Sequence, residues 1–182
     1  LVVPNIRTTA SDKDTGKNVA NADDKVTIID TVSYTNLSTD GREYKIEGKL
    51  MVKSTGKPLL VDGKEVTSSK TFVPSSRDGY ETLEFTFNAE ALKGESVVCF
   101  EYLKYKDIEI GYHTSLSDEN QTVSFPLIFT TVKDPDDNDK ILAPDGNYKL
   151  TDTVTFKNLP IGTYTIKGVL MDQDTNKEFL IG

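Results

Sequence analysis

The segment Lys25-Val-Thr-Ile-Ile-Asp-Thr-Val-Ser-Tyr34 decides how this chain folds. It is rich in β-branched and aromatic residues, with no Gly or Pro to interrupt it. Such residues fit a pleated, half-buried surface. Alternation places Ile28, Asp30, Val32 and Tyr34 on one face. Three of the four are apolar, so that face belongs to a core and carries one carboxylate into it.

Similar runs follow at Tyr44–Val52, Leu83–Phe87, Ser96–Leu103, Ile108–Tyr112 and Gln121–Phe125. Turn dipeptides separate them at Asp40-Gly41, Asp62-Gly63 and Asp78-Gly79. Asn88-Ala-Glu-Ala-Leu-Lys-Gly94 reads as the one helical piece, with Asn88 as N-cap and Gly94 as its stop. Many short strands with little helix predict an all-β fold, an Ig-like antiparallel β-sandwich.

The chain also repeats. Thr8–Leu37 (TTASDKDTGKNVANADDKVTIIDTVSYTNL) matches Thr130–Leu159 (TTVKDPDDNDKILAPDGNYKLTDTVTFKNL) without a gap. Tyr44–Met51 (YKIEGKLM) then answers Tyr164–Met171 (YTIKGVLM). This pattern is tandem duplication. We expect residues 1–126 to form a complete unit and 127–182 the N-terminal part of a second, incomplete copy. Pro126-Leu127 leaves almost no linker between neighbouring repeats, which favours a stiff rod.

Composition narrows the function. A content of 36% apolar and 27% charged residues is that of an ordinary globular chain, and no apolar run approaches membrane-spanning length. A net charge of −8, with basic residues scattered singly, argues against nucleic acid and anionic membrane as partners. The single cysteine, Cys99, excludes an intrachain disulfide and reads as a small buried hydrophobe. The chain begins at Leu1 rather than Met and reads as a mature or excised piece. No cofactor motif is present. Asp12-Lys-Asp14-Thr-Gly16 and the acids at Asp134, Asp136, Asp137 and Asp139 resemble the start of a calcium loop. Neither ends in a bidentate Glu, so acidic hairpin turns and no metal site are expected.

Further polar residues point inward. Thr8 shares a face with Ile6 and Ala10, Glu101 with Val97 and Cys99, and Gln121 with Val123 and Phe125. Together with Asp30 they form an inventory of one hydroxyl, two acids and one amide on apolar faces. Isolated carboxylates there are costly and hold their protons. His113, the only histidine, lies just upstream of Gln121 in Glu109–Pro126 (EIGYHTSLSDENQTVSFP).

At these residues the chain resembles the threonine–glutamine ester-bond domains, or VaFE repeats, of Gram-positive surface adhesins. The namesake motif stands here as Val98-Cys99-Phe100-Glu101. Thr-Thr-Ala near the start, Asp30-Thr-Val-Ser-Tyr34, and His113 followed by Gln121-Thr-Val123 also match. The resemblance implies that Thr8 attacks the side-chain amide of Gln121, releasing ammonia and leaving an intramolecular ester. His113 would transfer protons, with Glu101 and Asp30 as assisting acids. Thr9 is the rival nucleophile. Thr130 and Asp152 would be the second-copy counterparts of Thr8 and Asp30, without partners of their own. The implied protein is an extracellular, cell-wall-anchored stalk that crosslinks itself once and is no turnover enzyme. Its host ligand is unidentified, and its incomplete copy is open to contact with another chain.

Three other functions compete with this one. A lysine–asparagine isopeptide needs a Lys on the first strand, and residues 5–10 contain none, while Asn120 faces away from Val123. A ligand-binding adhesin tip would need an exposed aromatic patch. A hydrolase would use His113 with Asp30 or Glu101 on an external substrate.

Overall fold

The structure is a computed structural model that describes residues 3–142 and 146–179. The ends of the two expected units, residues 1–2 and 180–182, lie outside the described residues. The first unit contains β1 (Asn5–Asp12), β2 (Val26–Thr35), β3 (Tyr44–Val52), β4 (Lys57–Pro58), β5 (Leu60–Val61), β6 (Lys64–Glu65), β7 (Thr67–Phe72), β8 (Gly79–Phe87), β9 (Glu95–Tyr105), β10 (Ile108–His113) and β11 (Thr122–Phe125). Beyond it lie β12 (Leu127–Lys133), β13 (Thr151–Lys157), β14 (Met171–Asp172) and β15 (Lys177–Glu178).

Two antiparallel sheets form an Ig-like sandwich. One has the order β1-β2-β8; the other runs β10-β9-β3, with β4 and β7 on β3 and β11 on β9. Their inner faces supply one core, which includes Ile6, Ile28, Val32, Ile46, Leu50, Leu83, Phe85, Val97, Leu103 and Phe125. Burial alternates along β1 and β2 as a two-residue period requires. The N-terminal strand touches the elements at the far end of the unit: β1 packs against β9, β10, β11 and the 3-10 turn Glu119–Gln121. Residues 18–20 then clamp β11 from its free side, through Val19 beside Ser124 and the Ala20 N–H bonded to the Ser124 carbonyl at 3.0 Å.

Several expectations need correction. Residues 88–94 form no α-helix but a short 3-10 turn, Glu90–Leu92. Asn88 still accepts a bond from the Glu90 amide at 2.9 Å, and Gly94 adopts a left-handed φ of 83° where the chain turns into β9. Gln121 does not open the last strand; it is the final residue of the 3-10 turn Glu119–Gln121, and the strand starts at Thr122. From Gln121 to Phe125 every residue is buried, because β11 is enclosed on both sides. The polar edge strand β7 has burial too irregular for alternation to reveal it.

The acidic segments at Asp12 and Asp134 are turns. Asp12 accepts from the Thr15 amide at 3.0 Å, and Asp134 from the Asp136 amide at 2.8 Å. Left-handed residues at matching places, Gly16 and Asn138, close them.

The second copy repeats the first hairpin in register, and it also repeats the β3–β4 turn: Met171 pairs with Glu178 and Asp172 with Lys177, as Met51 does with Pro58 and Val52 with Lys57. Thr8 pairs with Val32 and Ala10 with Asp30; Thr130 pairs with Val154 and Val132 with Asp152. Tyr164–Met171, by contrast, forms no long strand, and only Met171–Asp172 pairs, with β15. Its counterpart β3 is held by β9 and β7 on either side, and no such neighbours flank 164–171 among the described residues. The side-chain amide of Asn158 ties the second hairpin to the first unit, bonding the Glu95 carbonyl at 2.6 Å and Ser96 Oγ at 2.9 Å.

Candidate functional site

The sandwich brings five polar side chains to the junction between its first strand and its last turn. Thr8 enters from β1, buried between Ile6 and Ala10, while Thr9 points to solvent. Asp30 enters from β2 and is fully buried, as are Glu101 from β9 and Gln121 from the turn before β11. Glu101 takes this place because alternation along β9 turns it inward between Cys99 and Leu103, opposite Gly48 on β3.

His113 reaches the same face through an irregularity. Along β10, Glu109 opposes Lys104, yet Gly111 opposes Leu103, so one extra residue is inserted at Ile110. Such a bulge shifts the phase of everything after it. His113 therefore lies opposite Glu101; in unbroken register it would face Phe100 and point outward.

The amide of Gln121 is held by its nitrogen. Nε2 donates to Glu101 Oε2 at 2.7 Å and to the Cys99 carbonyl at 2.9 Å. Gln121 Oε1, Thr8 Oγ1, Glu101 Oε1 and both carboxylate oxygens of Asp30 are buried with no well-formed hydrogen bond. Asp30 and Glu101 nevertheless sit close enough to shift each other's titration, and the Thr8 hydroxyl is close enough to lower both. Five orphaned polar atoms in one place are far outside what a structural core tolerates, where such groups are almost always paired.

The two acids titrate together. Burial raises both, and repulsion from Asp30 pushes Glu101 up to about 11. Asp30 rises only to about 6, because Glu101, His113 and Thr8 offset part of its desolvation. Near neutral pH Glu101 is a neutral acid and Asp30 is largely a carboxylate. Burial and the two acids also push the Cys99 thiol well up, which leaves it protonated and poorly nucleophilic. Asp30, Cys99 and Glu101 present ligand atoms within 4.8 Å of one another. In the free site Glu101 and the Cys99 thiol hold their protons, so a cation bound there would have to displace them.

Sequence reasoning overlooked Asp118. Its Oδ2 lies 2.9 Å from His113 Nε2, and the bond to His113 holds the Asp118 carboxyl below its usual range. The sign was present: Asp118-Glu-Asn-Gln121 is a capping residue followed three positions later by Gln. Asn120, the acceptor an isopeptide would need, is exposed.

The first strand and the last turn of a two-sheet sandwich thus meet over a buried Thr, two acids and a Gln amide. The chain belongs to the family described as "T-Q ester bond containing domain", which matches residues 4–125 and again 126–179. Among solved structures, the fold is similar to a bacterial adhesin from Mobiluncus mulieris containing intramolecular disulfide, isopeptide and ester bond cross-links. One crystal form matches with a TM-score of 0.58 at 13% identity, over 87% of this chain and 75% of that one. A second crystal form gives a TM-score of 0.54 at 14% identity over the same shares. No curated protein matches this sequence.

Proposed function

We propose that residues 1–126 form a load-bearing module of a surface adhesin, closed by an ester between Thr8 and Gln121. The observation that carries this reading is the buried pairing of the Gln121 amide with Glu101, beside an unpartnered Thr8 hydroxyl and the Asp30 carboxylate. Thr8 Oγ1 attacks Cδ of Gln121; the C–O bond forms, the C–Nε2 bond breaks, and ammonia leaves. The hydroxyl proton passes to the Asp30 carboxylate. Glu101, neutral and bonded to Nε2, supplies a proton to the departing nitrogen, and the pair returns to sharing one. His113 relays protons at the half-buried side of the site.

Proximity is the main source of rate. Fixing the two reacting groups on neighbouring elements can supply roughly 7–11 kcal/mol of the barrier. Burial then excludes the water that would hydrolyse the ester. The chemistry turns over once and has no external substrate, in contrast to a hydrolase.

The mechanical consequence follows from position. The bond would join the first strand to the segment before the last, so a pull on the termini bypasses the strands between. This suits a stalk of tandem repeats on a cell surface, and the Mobiluncus protein is a bacterial adhesin that contains an intramolecular ester cross-link. Residues 127–179 expose an apolar face that, on this reading, is completed by strands equivalent to β8–β11, either from adjoining sequence or from a neighbouring molecule.

Intact mass under denaturing conditions tests the ester. The chain should weigh one ammonia less than its sequence, and fragmentation should place the bond at Thr8 and Gln121. Hydroxylamine should open it. A chain of full sequence mass, or a bond at Thr9, overturns the assignment.

A further inference from the structure

Asp118 occupies a pivotal place in the site. Through Oδ2 it meets His113 Nε2 at 2.9 Å. Through Oδ1 it accepts the Asn120 amide at 2.9 Å, capping the 3-10 turn that ends in Gln121. Its own carbonyl accepts the Gln121 amide at 3.2 Å and the Thr122 hydroxyl at 2.7 Å. One residue therefore binds both the histidine and the turn that carries the amide.

We propose that Asp118 is a positioning residue for crosslinking, coupling the orientation of His113 to the placement of Gln121. This rests on the ester reading above. An ionised carboxylate can only accept a hydrogen bond, so the nitrogen facing Asp118, Nε2, carries a proton, and in the uncharged ring Nδ1 is the position left to accept one. A histidine held in one tautomer by a third group keeps one ring nitrogen free to accept a proton, which the relay role of His113 needs. The bulge at Ile110 turns His113 inward, and Asp118 holds it there. Because Asp118 touches neither Thr8 nor the side-chain amide of Gln121 in any observed hydrogen bond, its effect runs through His113 and the turn.

Capping alone would be the purely structural role, and two variants separate the roles. Asp118→Ser keeps an oxygen for the Asn120 amide but loses the partner of His113. Asp118→Asn keeps the cap and most of the shape, yet its amide donates toward Nε2 and moves the imidazole proton to Nδ1. The full chain is made in a short cell-free pulse, and loss of ammonia is followed by intact mass. Both variants should close at least about 10²-fold more slowly than the parent chain. Closure of Asp118→Ser at the parent rate reduces Asp118 to a cap and overturns the proposal.

The tautomer gives an independent reading. The chain has a single histidine, so 15N spectra of labelled protein report His113 alone. In a Thr8→Val background, which cannot close, the proton should sit on Nε2 with Asp118 and on Nδ1 with Asp118→Asn. An identical tautomer in both overturns the positioning role. If the parent chain itself never loses ammonia, the ester reading fails, and the tautomer measurement still decides what Asp118 does to His113.

Discussion

Residues 5–35 and 127–157 build the same hairpin twice, in the same register, with opposite results for burial. Ile6 is 1% exposed and its counterpart Ile128 is 59% exposed; Ile46 is 0% exposed and Ile166 is 69%. Thr8 and Asp30 are buried, whereas Thr130 and Asp152 are exposed and line an open apolar groove of ≈ 860 Å³. Local sequence makes the hairpin in both copies. Among the described residues only the first is joined by β8 to β11, which bring Glu101, His113 and Gln121 with them. A threonine beside an aspartate is therefore not a reactive site. On the ester reading it becomes one when an opposing sheet strips away water and brings the amide.

The largest expected effect breaks the first copy down to the level of the second. Thr8→Val should abolish the ammonia loss and lower stability by about 4–5 kcal/mol, the entropy of closing a loop of this size. Denaturant titration beside intact mass checks it. Unchanged stability in a chain shown to be closed before substitution would mean that the ester serves something other than rigidity.

Packing gives the next contrast. A Cβ on Gly48 would meet Leu83 Cδ1 and Phe85 Cζ at 2.7 Å, while the matching Gly168 has nothing within 4 Å. Gly48→Ala should cost about 1–3 kcal/mol. Gly168→Ala should stay within about 0.5 kcal/mol of the parent. Equal effects in the two would show that the second copy is packed as tightly as the first.

Titration separates the copies as well. In Thr8→Val the folded state holds protons that the unfolded chain releases, since Asp30 rises to about 6 and Glu101 to about 11. Their contribution to stability should be greatest below about pH 4, fall most steeply between about pH 4 and 6, and continue to fall more gently above neutrality. Melting curves across this range test it; a rise in stability with pH would contradict the raised hold of the two acids on their protons. The smallest effect belongs to Asp152→Asn, which should leave the crosslink and the pH profile of the first unit untouched.

Much of this could be read from residues alone. The two-residue period of Lys25–Tyr34 predicted the strand and turned Asp30 inward, and the same rule selected Thr8 over Thr9 for burial. The repeat located the copies because duplicated sequence preserves local pairing preferences. Where the reading failed, the physical cause was tertiary. Asn88–Gly94 has helix formers but too few residues to sustain a nucleated α-helix, so it settles as a 3-10 turn. Gln121 looked like a strand residue, yet the Asp118 cap places it at the end of a turn, where its amide reaches Glu101.

The sequence by itself determined the strands, the duplication and the identities of the inward-facing polar groups, because each depends on neighbours along the chain. It could not determine that His113 faces Glu101. That depends on one inserted residue at Ile110, which reverses the face of everything after it. Nor could it determine that Asp118 joins the histidine to the amide. The raised hold of Asp30 and Glu101 on their protons comes from two sheets removing the water around them. Pairing is local chemistry; the acid pair, the held amide and the unmatched hydroxyl come from closing the sandwich.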